Sequence, residues 1–427
     1  MSNDKWTVID LFSGAGGMSY GFHAHRKFQI IGAADAQNGK PSSGKGTLEC
    51  NSTYKANIGV DPLEADLAVI CPKSLKQTLG GVNPTVLIAC APCTGFSRTL
   101  SSNHLKDDPR NSLVARTSEF VSAFRPSVFL MENARELLRG NFTHHFDVLR
   151  ESLEQQGYEV EGQIHFLNEF GLPQRRERAL VVAVEKGLQL RTLDELWDGY
   201  KVSAEAVSVR RAIEGLPSVA AGEAHPEDSL HVSPSFNELG FRRLQSIPAN
   251  GGSWIDLRNH AKADELLTPA MKRYIAKGKF GSHPDVYGRL WWDRPAVTIK
   301  RECGHTGNGR YAHPEQHRLC TVRELAVLQG FPADYKFSAS SVGNKYRHIG
   351  DAVPPLISYQ LAKLCEWILT NKKPRLKNSI LAKTHLTKDD LVVIKDHQQK
   401  LRFDADLTSD SWDSPRAMKD AELCEKP

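Results

Sequence analysis

The sequence predicts an α/β protein with a Rossmann-like core, a mixed but mostly parallel sheet, joined to a smaller second domain. Short apolar runs rich in β-branched residues, such as 84–88 and 179–184, alternate with helical stretches through the first 184 residues. Such runs are typical of strands that are buried on both faces of a parallel sheet. The alternation fades between residue 185 and about residue 295, where charged, aromatic and glycine residues are mixed. The first region therefore predicts the sheet, and the second region predicts a separate domain.

The composition indicates a soluble globular protein with a mild positive charge. Of the 427 residues 40% are hydrophobic and 25% are charged, and the net charge of +5 permits a polyanionic partner without requiring one. No apolar run approaches membrane-spanning length, and the polar start of the chain predicts no signal peptide. The eight cysteines show no framework spacing, which favours free thiols in a reducing cytoplasm. Cys90 and Cys93 have no second pair at metal-ligand spacing, so we expect no metal site.

A glycine-rich turn follows the first predicted strand and points to a bound ligand. Residues 13–19 contain three glycines between the strand 6–12 and a helix, and glycine lets the backbone approach a ligand closely. The second strand, 28–34, ends in Asp35, about twenty residues past the glycines, where a carboxylate can bind the ribose of a nucleoside cofactor. A helix cap or a loop charge is the alternative for Asp35. Asp66, just before an apolar run, is our candidate for binding the cofactor's base.

Candidate catalytic residues stand where apolar strands end. Cys93 follows Pro92 after the strand 84–88, at the edge of the sheet where ligands bind in α/β proteins, and it is the candidate nucleophile. A buried structural cysteine is the alternative. Glu132 and Asn133 directly follow a second apolar strand, so solvation alone does not explain them.

Two arginines mark the start of the strand 179–184. Arg176 and Arg178 alternate along the chain, which places them on the same face of an extended segment. Such a pair can grip a phosphate or a base carbonyl. A solvated charge cluster is the alternative.

The remaining segments are interpreted as a connector, two helices and a tail. The polar stretch 98–111 beside Cys93 is a candidate mobile lid, with an inert surface loop as the alternative. Thr321 and Glu324 predict a capping box at the start of a helix. A further helix is predicted from Gly350 to about residue 369. Beyond residue 371 the chain is polar and is expected to be peripheral or partly disordered.

Taken together, these motifs resemble those of the DNA (cytosine-5) methyltransferase family, and they occur in that family's order. The blocks that carry the resemblance are 10–17, Pro92-Cys93 with Phe96-Ser97, Glu132-Asn133, Gln174 with Arg176 and Arg178, 323–325 with 329–332, and 350–354. They cover about residues 6–184 and 288–368. The chain departs from the family pattern at Cys90, Ala91, Thr94, Ala134 and Asp351. These departures affect the packing around the cofactor and leave the nucleophile and the acid intact.

The resemblance implies a class I methyltransferase core with defined catalytic roles. Cys93 would attack carbon 6 of cytosine so that carbon 5 becomes nucleophilic, and Glu132 would act as the acid at ring nitrogen 3. Arg178 would bind the ring carbonyl and favour the thiolate, while Arg176 would hold the site or a phosphate. Asn133 would fix the geometry of the turn that carries the nucleophile.

The resemblance also implies S-adenosyl-L-methionine as the methyl donor. Phe12 would lie against its adenine, Asp35 would bind its ribose, and glycines 14, 16 and 17 would lie near its methionine part. With Phe12 and Asp35, the full set of expected cofactor-binding residues is Gly14, Ala15, Gly16, Gly17, Asp66, Pro92, Asp351 and Val353.

The expected organisation is a catalytic core over 1–186, a target-recognition domain over 187–300, a return segment over 301–370 that completes both, and a polar tail over 371–427. The predicted function is methylation of carbon 5 of a flipped-out cytosine in a specific duplex DNA sequence, protecting DNA in a restriction–modification system. Double-stranded DNA is the expected partner. A cognate restriction endonuclease is expected as a functional but not a physical partner, and the protein is expected to be a monomer of the bacterial cytoplasm or nucleoid without membrane contact. A tRNA cytosine-5 methyltransferase of the same fold and a catalytically silent DNA-binding homologue are the alternatives.

Overall fold

A seven-stranded sheet forms the centre of the protein in the computed structural model, which describes residues 5–38, 47–92, 107–278 and 285–394. Its strands are β1 (Trp6–Leu11), β2 (Phe28–Asp35), β3 (Leu63–Glu64), β4 (Val86–Ala89), β5 (Val128–Ala134), β6 (Tyr158–Phe166) and β7 (Glu177–Glu185). Their order across the sheet is β3-β2-β1-β4-β5-β7-β6. The pairs from β3 to β5 are parallel, whereas β7 runs antiparallel to both of its neighbours. The prediction of a mixed, mostly parallel sheet is confirmed.

Helices cover the sheet and build most of the second region. In the ranges given above they are α1 (Gly17–His23), α2 (Cys50–Ile58), α3 (Pro72–Thr78), α4 (Ser112–Phe124), α5 (His144–Gln155), α6 (Leu193–Trp197), α7 (Val209–Ile213), α8 (Glu238–Ser246), α9 (Ala263–Leu266), α10 (Pro269–Ala276), α11 (Val322–Leu328), α12 (Val342–Asp351) and α13 (Pro355–Thr370). Two short antiparallel sheets pair β8 (Tyr200–Val202) with β11 (Leu391–Val393) and β9 (Ala224–His225) with β10 (Asp228–Val232).

The central sheet is buried on both faces because successive residues of its strands point to opposite sides. Val8 and Ile88 belong to one apolar cluster, which includes residues of α1 and α13. Ile9 and Leu87, their immediate neighbours in sequence, belong to a second cluster, which includes residues of α4 and α5. The sheet is therefore a rigid platform whose strand ends can position functional side chains.

Helix α13 lies directly on α1, close to the glycine-rich turn. A Cβ atom on Gly21 would come within 2.2 Å of the backbone carbonyl carbon of Ser358, and one on Gly17 would come within 2.4 Å of the carbonyl oxygen of Val353. The Ser358 hydroxyl also donates a hydrogen bond to the carbonyl oxygen of Met18. Side chains at these two glycines would separate the helices, so glycine is what permits the contact.

Residues 193–207 pack with the sheet, although the sequence placed the domain boundary at 186/187. Leu193, Trp197 and Val202 belong to the same apolar cluster as the central strands. The indole nitrogen of Trp197 donates a 2.7 Å hydrogen bond to the side-chain oxygen of Gln360 in α13. The apolar cluster of the second region contains Val209 and the residues of α11. The alternation of strands and helices in the sequence ends at residue 185, and the predicted boundary was placed there. The chain nevertheless stays buried against the core as far as residue 207.

The described part of the tail packs against the main apolar core, although its polar sequence predicted a peripheral segment. Leu376, Leu386 and Leu391 are buried in the cluster of the main sheet. Strand β11 pairs with β8, which joins this segment to the stretch that follows α6. The expectation of a peripheral segment is therefore wrong for these residues, because single leucines spaced along a polar sequence provide the anchoring. Residues 395–427 lie outside the described ranges.

The two helices predicted after residue 320 have different outcomes. Helix α11 has the predicted capping box, in which the Thr321 side chain accepts a hydrogen bond from the Glu324 backbone. The helix predicted to begin at Gly350 is instead two helices, since α12 ends at Asp351 and α13 begins at Pro355. Two consecutive prolines explain the break, because proline restricts the preceding residue and lacks the N–H that a helix interior needs.

A fully buried ion pair fixes α11 to the segment before it. Arg318 Nη1 lies 2.7 Å from Glu324 Oε2, and the two side chains are 0% and 1% exposed. Burial raises the pKa of Glu324, but the hydrogen bonds and charge of Arg318 outweigh it and leave that pKa below its ordinary value. Glu324→Gln would leave a buried guanidinium without its counter-charge, so we expect the free energy of unfolding to fall by about 3–5 kcal/mol.

Urea denaturation of the purified variants measures this effect. The control is Glu214→Gln, which breaks the exposed pair between Glu214 and Arg210 and is expected to leave the free energy of unfolding nearly unchanged. Equal losses in the two variants would contradict the role assigned to burial.

Candidate active site

An acidic and a basic side chain meet on one face of the sheet, between β5 and β7. Glu132 pairs with Leu180 and Ala134 pairs with Arg178 in the antiparallel register. Residues two apart share a face of a strand, so Glu132 and Arg178 are diagonal neighbours. Arg178 Nε lies 2.8 Å from Glu132 Oε1, and the side chains are 14% and 9% exposed. The structure thus brings together the predicted acid and one predicted arginine.

The Glu132–Arg178 contact is an interaction of charges rather than an aligned hydrogen bond. Glu132 Oε1 and Arg178 Nε lie close to each other, but neither atom makes a hydrogen bond with a described residue. Another nitrogen of Arg178, Nη1, donates a 2.7 Å hydrogen bond to the carbonyl oxygen of Glu177, which holds the guanidinium in place. The carboxylate therefore keeps hydrogen-bonding capacity for a ligand that enters beside it.

The turn that leads to Cys93 is tied to the strand that carries Glu132. Asn133 is fully buried, and its side-chain nitrogen donates a 3.1 Å hydrogen bond to the carbonyl oxygen of Ala91. The Glu132 backbone N–H donates a 3.4 Å hydrogen bond to the sulfur of Cys90. Pro92 is partly exposed and ends the described stretch, so Cys93 and the candidate lid residues 98–106 lie outside the described residues. Asn133 thus holds the backbone two residues before the predicted nucleophile.

The glycine-rich turn and Asp35 form a cradle beside the end of β1. Asp35 Oδ2 accepts a 2.9 Å hydrogen bond from the Gly14 N–H, and its Oδ1 accepts one of 2.6 Å from the Gln37 N–H. Gly14 has a φ of 51° and Gly16 one of 92°, a backbone region that favours glycine, and Phe12 also has a positive φ of 60°. A Cβ atom on Gly14 would meet no described atom within 4 Å. At Gly14 the turn therefore faces space that no described residue fills.

The other predicted cofactor residues lie around this cradle at different distances from it. Ala15 is buried, and its carbonyl oxygen accepts a hydrogen bond from the Tyr335 hydroxyl. Val353 contacts Gly17, as described above. Asp351 forms a 3.0 Å ion pair with Arg301.

Asp66 is exposed at the same edge of the sheet. Asp66 follows Glu64, which pairs with Asp35 of β2. Its Oδ1 accepts a 2.9 Å hydrogen bond from the Ala68 N–H within a turn. A role in binding the cofactor's base stays a prediction.

Arg176 and Arg178 have different partners, unlike the joint grip that the sequence suggested. Arg176 is 2% exposed, and its guanidinium donates to the carbonyl oxygens of Ile299 at 3.1 Å and Ala352 at 3.4 Å. Gln174 accepts a 2.9 Å hydrogen bond from the Ile299 N–H and donates one of 2.5 Å to Gln329. Gln329 donates in turn to Ala352 at 2.8 Å. These hydrogen bonds connect the segment before β7, through Gln174 and Arg176, to Ile299, Gln329 and Ala352.

A buried carboxyl group beneath the glycine-rich turn was missed by the sequence analysis. Asp10 is 1% exposed, and its Oδ2 accepts a 2.6 Å hydrogen bond from Ser19, whose hydroxyl also contacts Tyr54. Burial raises the pKa of Asp10 to about 7, with an opposing effect from the Ser19 hydrogen bond and a smaller raising effect from the charge of Asp35. A carboxylate just before the glycines was visible in the sequence, but its burial depends on α1 and α2.

The raised pKa of Asp10 gives a pH dependence of stability with a definite sign. Between pH 4 and pH 7 the folded state holds a proton that the unfolded state releases, so stability falls as the pH rises through this window. We expect the wild type to lose about 2 to 3 kcal/mol more of its unfolding free energy than Asp10→Asn between pH 5 and pH 8. Urea denaturation at both pH values measures the difference, with Asp61→Asn, at a 69% exposed side chain, as the control. Parallel pH profiles of the wild type and Asp10→Asn would contradict it.

Comparison with known proteins identifies the family. The family model described as C-5 cytosine-specific DNA methylase matches residues 6–367. The chain belongs to this family. The methylase is 29% identical over 379 residues to the Type II methylase M.HgiDII of Herpetosiphon aurantiacus, covering 88% of this chain and 99% of that protein. It is 30% identical to the Type II methyltransferase M.NgoFVII of Neisseria gonorrhoeae, covering 85% and 87% of the two chains.

Solved structures support the fold of the methylase. A DNA modification methyltransferase encoded within an E. coli prophage superposes with a TM-score of 0.58 at 22% identity, covering 86% of this chain and all of that one. The Dnmt2 methyltransferase of S. pombe gives 0.54 at 19% identity, covering 85% and 98%. At these identities the likeness shows the shared Rossmann-like methyltransferase fold alone. Among the helices described, none has the length and hydrophobicity needed to span a bilayer.

Proposed function

We propose that this DNA cytosine-5 methylase modifies a specific duplex sequence as the modification enzyme of a restriction–modification system. The observation that carries the proposal is the buried Glu132–Arg178 pair, which lies beside a turn held by Asn133. The next residue after that turn's described part is Cys93. A nucleophile, an acid and a cation at one place are what attack on a pyrimidine ring needs.

The proposed reaction assigns one task to each group. The Cys93 sulfur forms a bond to carbon 6 of cytosine, while Glu132 shares its proton with ring nitrogen 3 and Arg178 binds the ring carbonyl. Carbon 5 then gains the methyl group, loses its proton to a base, and the sulfur leaves again. Because the target carbon is inaccessible inside a duplex, the base must first be flipped out. Asn133 and Arg176 act by position, since their side chains donate hydrogen bonds to the backbone carbonyl oxygens of Ala91 and Ile299.

We propose S-adenosyl-L-methionine as the cofactor of this reaction, where it supplies an electrophilic methyl group. The open space at Gly14 and the carboxylate of Asp35 fit a nucleoside bearing a short charged chain. Phe12 and Val353 would bound the cofactor on either side of the turn. The residues proposed to contact it further are Ala15, Gly16, Gly17, Asp66, Pro92 and Asp351.

The region between α7 and α10 is proposed to read the DNA sequence. Leu239 and Phe241 of α8 and Tyr274 of α10 are exposed apolar or aromatic side chains. Arg243, also on α8, has its guanidinium 5.8 Å from the centre of the Tyr287 ring. Apolar and basic groups of this kind contact base edges and phosphates in the grooves of DNA.

The biological setting rests on the named relatives. Proteins called Type II methylases and methyltransferases cover most of this chain at 29% and 30% identity, which supports a role in restriction–modification beside a separate restriction endonuclease. A monomer of the bacterial cytoplasm or nucleoid fits such an enzyme. The solved neighbours share the fold at 22% and 19% identity and favour neither DNA nor tRNA, so a tRNA substrate stays the alternative.

Bisulfite sequencing of DNA from bacteria that express the protein tests the proposal. We expect methylated cytosines at one recurring sequence, and none in cells that express Cys93→Ala. The purified protein is also assayed for methyl incorporation into duplex DNA and tRNA. Incorporation into tRNA alone would favour the tRNA enzyme, and incorporation into neither would favour a silent DNA-binding protein.

A further inference from the structure

A second cluster of polar side chains lies apart from the candidate active site. Asp107 precedes α4, and His144 and His145 are the first two residues of α5. The Nε2 atoms of His144 and His145 lie 3.4 Å and 2.9 Å from Asp107 Oδ2. One metal-binding atom from each of the three residues falls within 4.8 Å of the others. Two imidazoles and a carboxylate thus converge on one point near the surface.

We propose that Asp107, His144 and His145 form a zinc site, with water as the fourth ligand. Zinc binds imidazole nitrogen and carboxylate oxygen at about 2.0–2.2 Å, which places neighbouring ligand atoms of a tetrahedral site about 3.3–3.5 Å apart. The separation of 3.4 Å lies within this range, whereas that of 2.9 Å is shorter and must widen as the metal enters. Small side-chain rotations therefore complete the geometry. Nitrogen and oxygen ligands of this kind suit zinc and copper better than calcium or magnesium.

The cluster is arranged in advance of binding. The His145 side chain is only 11% exposed, and the His144 ring lies against it with the ring centroids 4.1 Å apart. Asn111 donates a 2.8 Å hydrogen bond to Asp107 Oδ1. This bond orients the carboxylate so that Oδ2 approaches both histidines, and such outer contacts tune metal ligands in proteins. The ordering of the three side chains is therefore largely complete before a metal enters.

The local charges also permit a cation. Arg110, three residues after Asp107, is paired with Asp108 at 2.6 Å, which balances its charge, whereas Lys106 lies outside the described residues. Without a metal, the imidazole N–H groups can donate to Asp107, and zinc would bind the same Nε2 atoms once each ring carries its hydrogen on Nδ1. The positive end of α5 opposes a cation only modestly. Zinc would join the start of α4 to the start of α5, two helices packed on the same face of the sheet.

Isothermal titration of the metal-free full-length protein with zinc chloride tests the site. We expect one equivalent to bind, and affinity to fall at least tenfold in His144→Gln, His145→Gln and Asp107→Asn. His23→Gln, at an exposed histidine at the end of α1, is the matched control and should bind as the wild type does. Zinc should also raise the unfolding temperature of the wild type and of the control but not of the three site variants.

Two further comparisons separate zinc binding at this site from zinc binding by thiols and from unfolding of a variant. The titration is repeated in Cys93→Ser and in Cys71→Ser, because thiolates also bind zinc and these variants should retain the site. The His144 ring is 57% exposed, so His144→Gln tests the site even where the less exposed His145 cannot be replaced without unfolding. Failure of the wild type to bind zinc at micromolar concentration would overturn the proposal. Equal affinity of the wild type and His144→Gln would overturn it as well.

Discussion

Cys93→Ala is expected to reduce methyl transfer to the level measured without enzyme. The proposed sulfur–carbon bond makes carbon 5 nucleophilic, so its loss should stop the reaction at the first step. The strongest measurement uses a duplex whose target cytosine carries fluorine at carbon 5. Since fluorine cannot leave as a proton does, the wild type should stay covalently bound to this DNA, and the variant should form no such adduct.

An exposed cysteine provides the control for that experiment. Cys71 is exposed, and Cys71→Ala should form the adduct at the wild-type rate. A covalent adduct in Cys93→Ala, or undiminished turnover, would show that another residue attacks the base.

Glu132→Gln is expected to lower kcat by about 100- to 10 000-fold, the range typical of a lost general acid. Glutamine has nearly the same shape, so DNA binding should be retained while ring nitrogen 3 loses its proton donor. The change also removes the charge that faces Arg178 at 2.8 Å. Single-turnover rates, together with the affinity for DNA from a filter or polarisation assay, separate an effect on the chemical step from an effect on binding.

The matched control for this carboxyl is Glu161→Gln on β6. Glu161 is exposed and pairs through its backbone with Val182 of β7, so its replacement should change neither rate nor affinity. A Glu132→Gln enzyme whose DNA affinity falls as much as its rate would instead indicate a role in holding the base.

Strands and helices near the site were predictable because their signals are local. The capping box of α11 forms as predicted, and the strands β1, β2 and β4 lie within two residues of their predicted ends. Strand β5 continues through Glu132 and Asn133 to Ala134, beyond the predicted end at residue 131. Its extension comes from antiparallel pairing with β7, a contact between distant segments that no local pattern contains.

In the candidate site, too, the residue types were predictable from the sequence, whereas the contacts between distant segments were not. The residue types of Cys93, Glu132 and Arg178 and their order identified the chemistry, whereas the diagonal contact between Glu132 and Arg178 depends on strand register. The separation of Arg176 from Arg178 was not predictable, because the carbonyls of Ile299 and Ala352 are more than a hundred residues away in sequence. The Asp107–histidine cluster likewise requires two helices to be placed side by side.

The close contact of α13 with α1 has a consequence for synthesis of the protein. The glycine-rich turn is completed on one side by Val353 and by the backbone near Ser358, which leave the ribosome long after the turn itself. Chains grow from the amino end, and early segments fold before late ones arrive. A nascent chain stopped before about residue 350 would therefore carry every proposed catalytic side chain and yet lack one wall of the proposed cofactor site. The enzyme could then begin to modify the genome only after its last long helix had emerged.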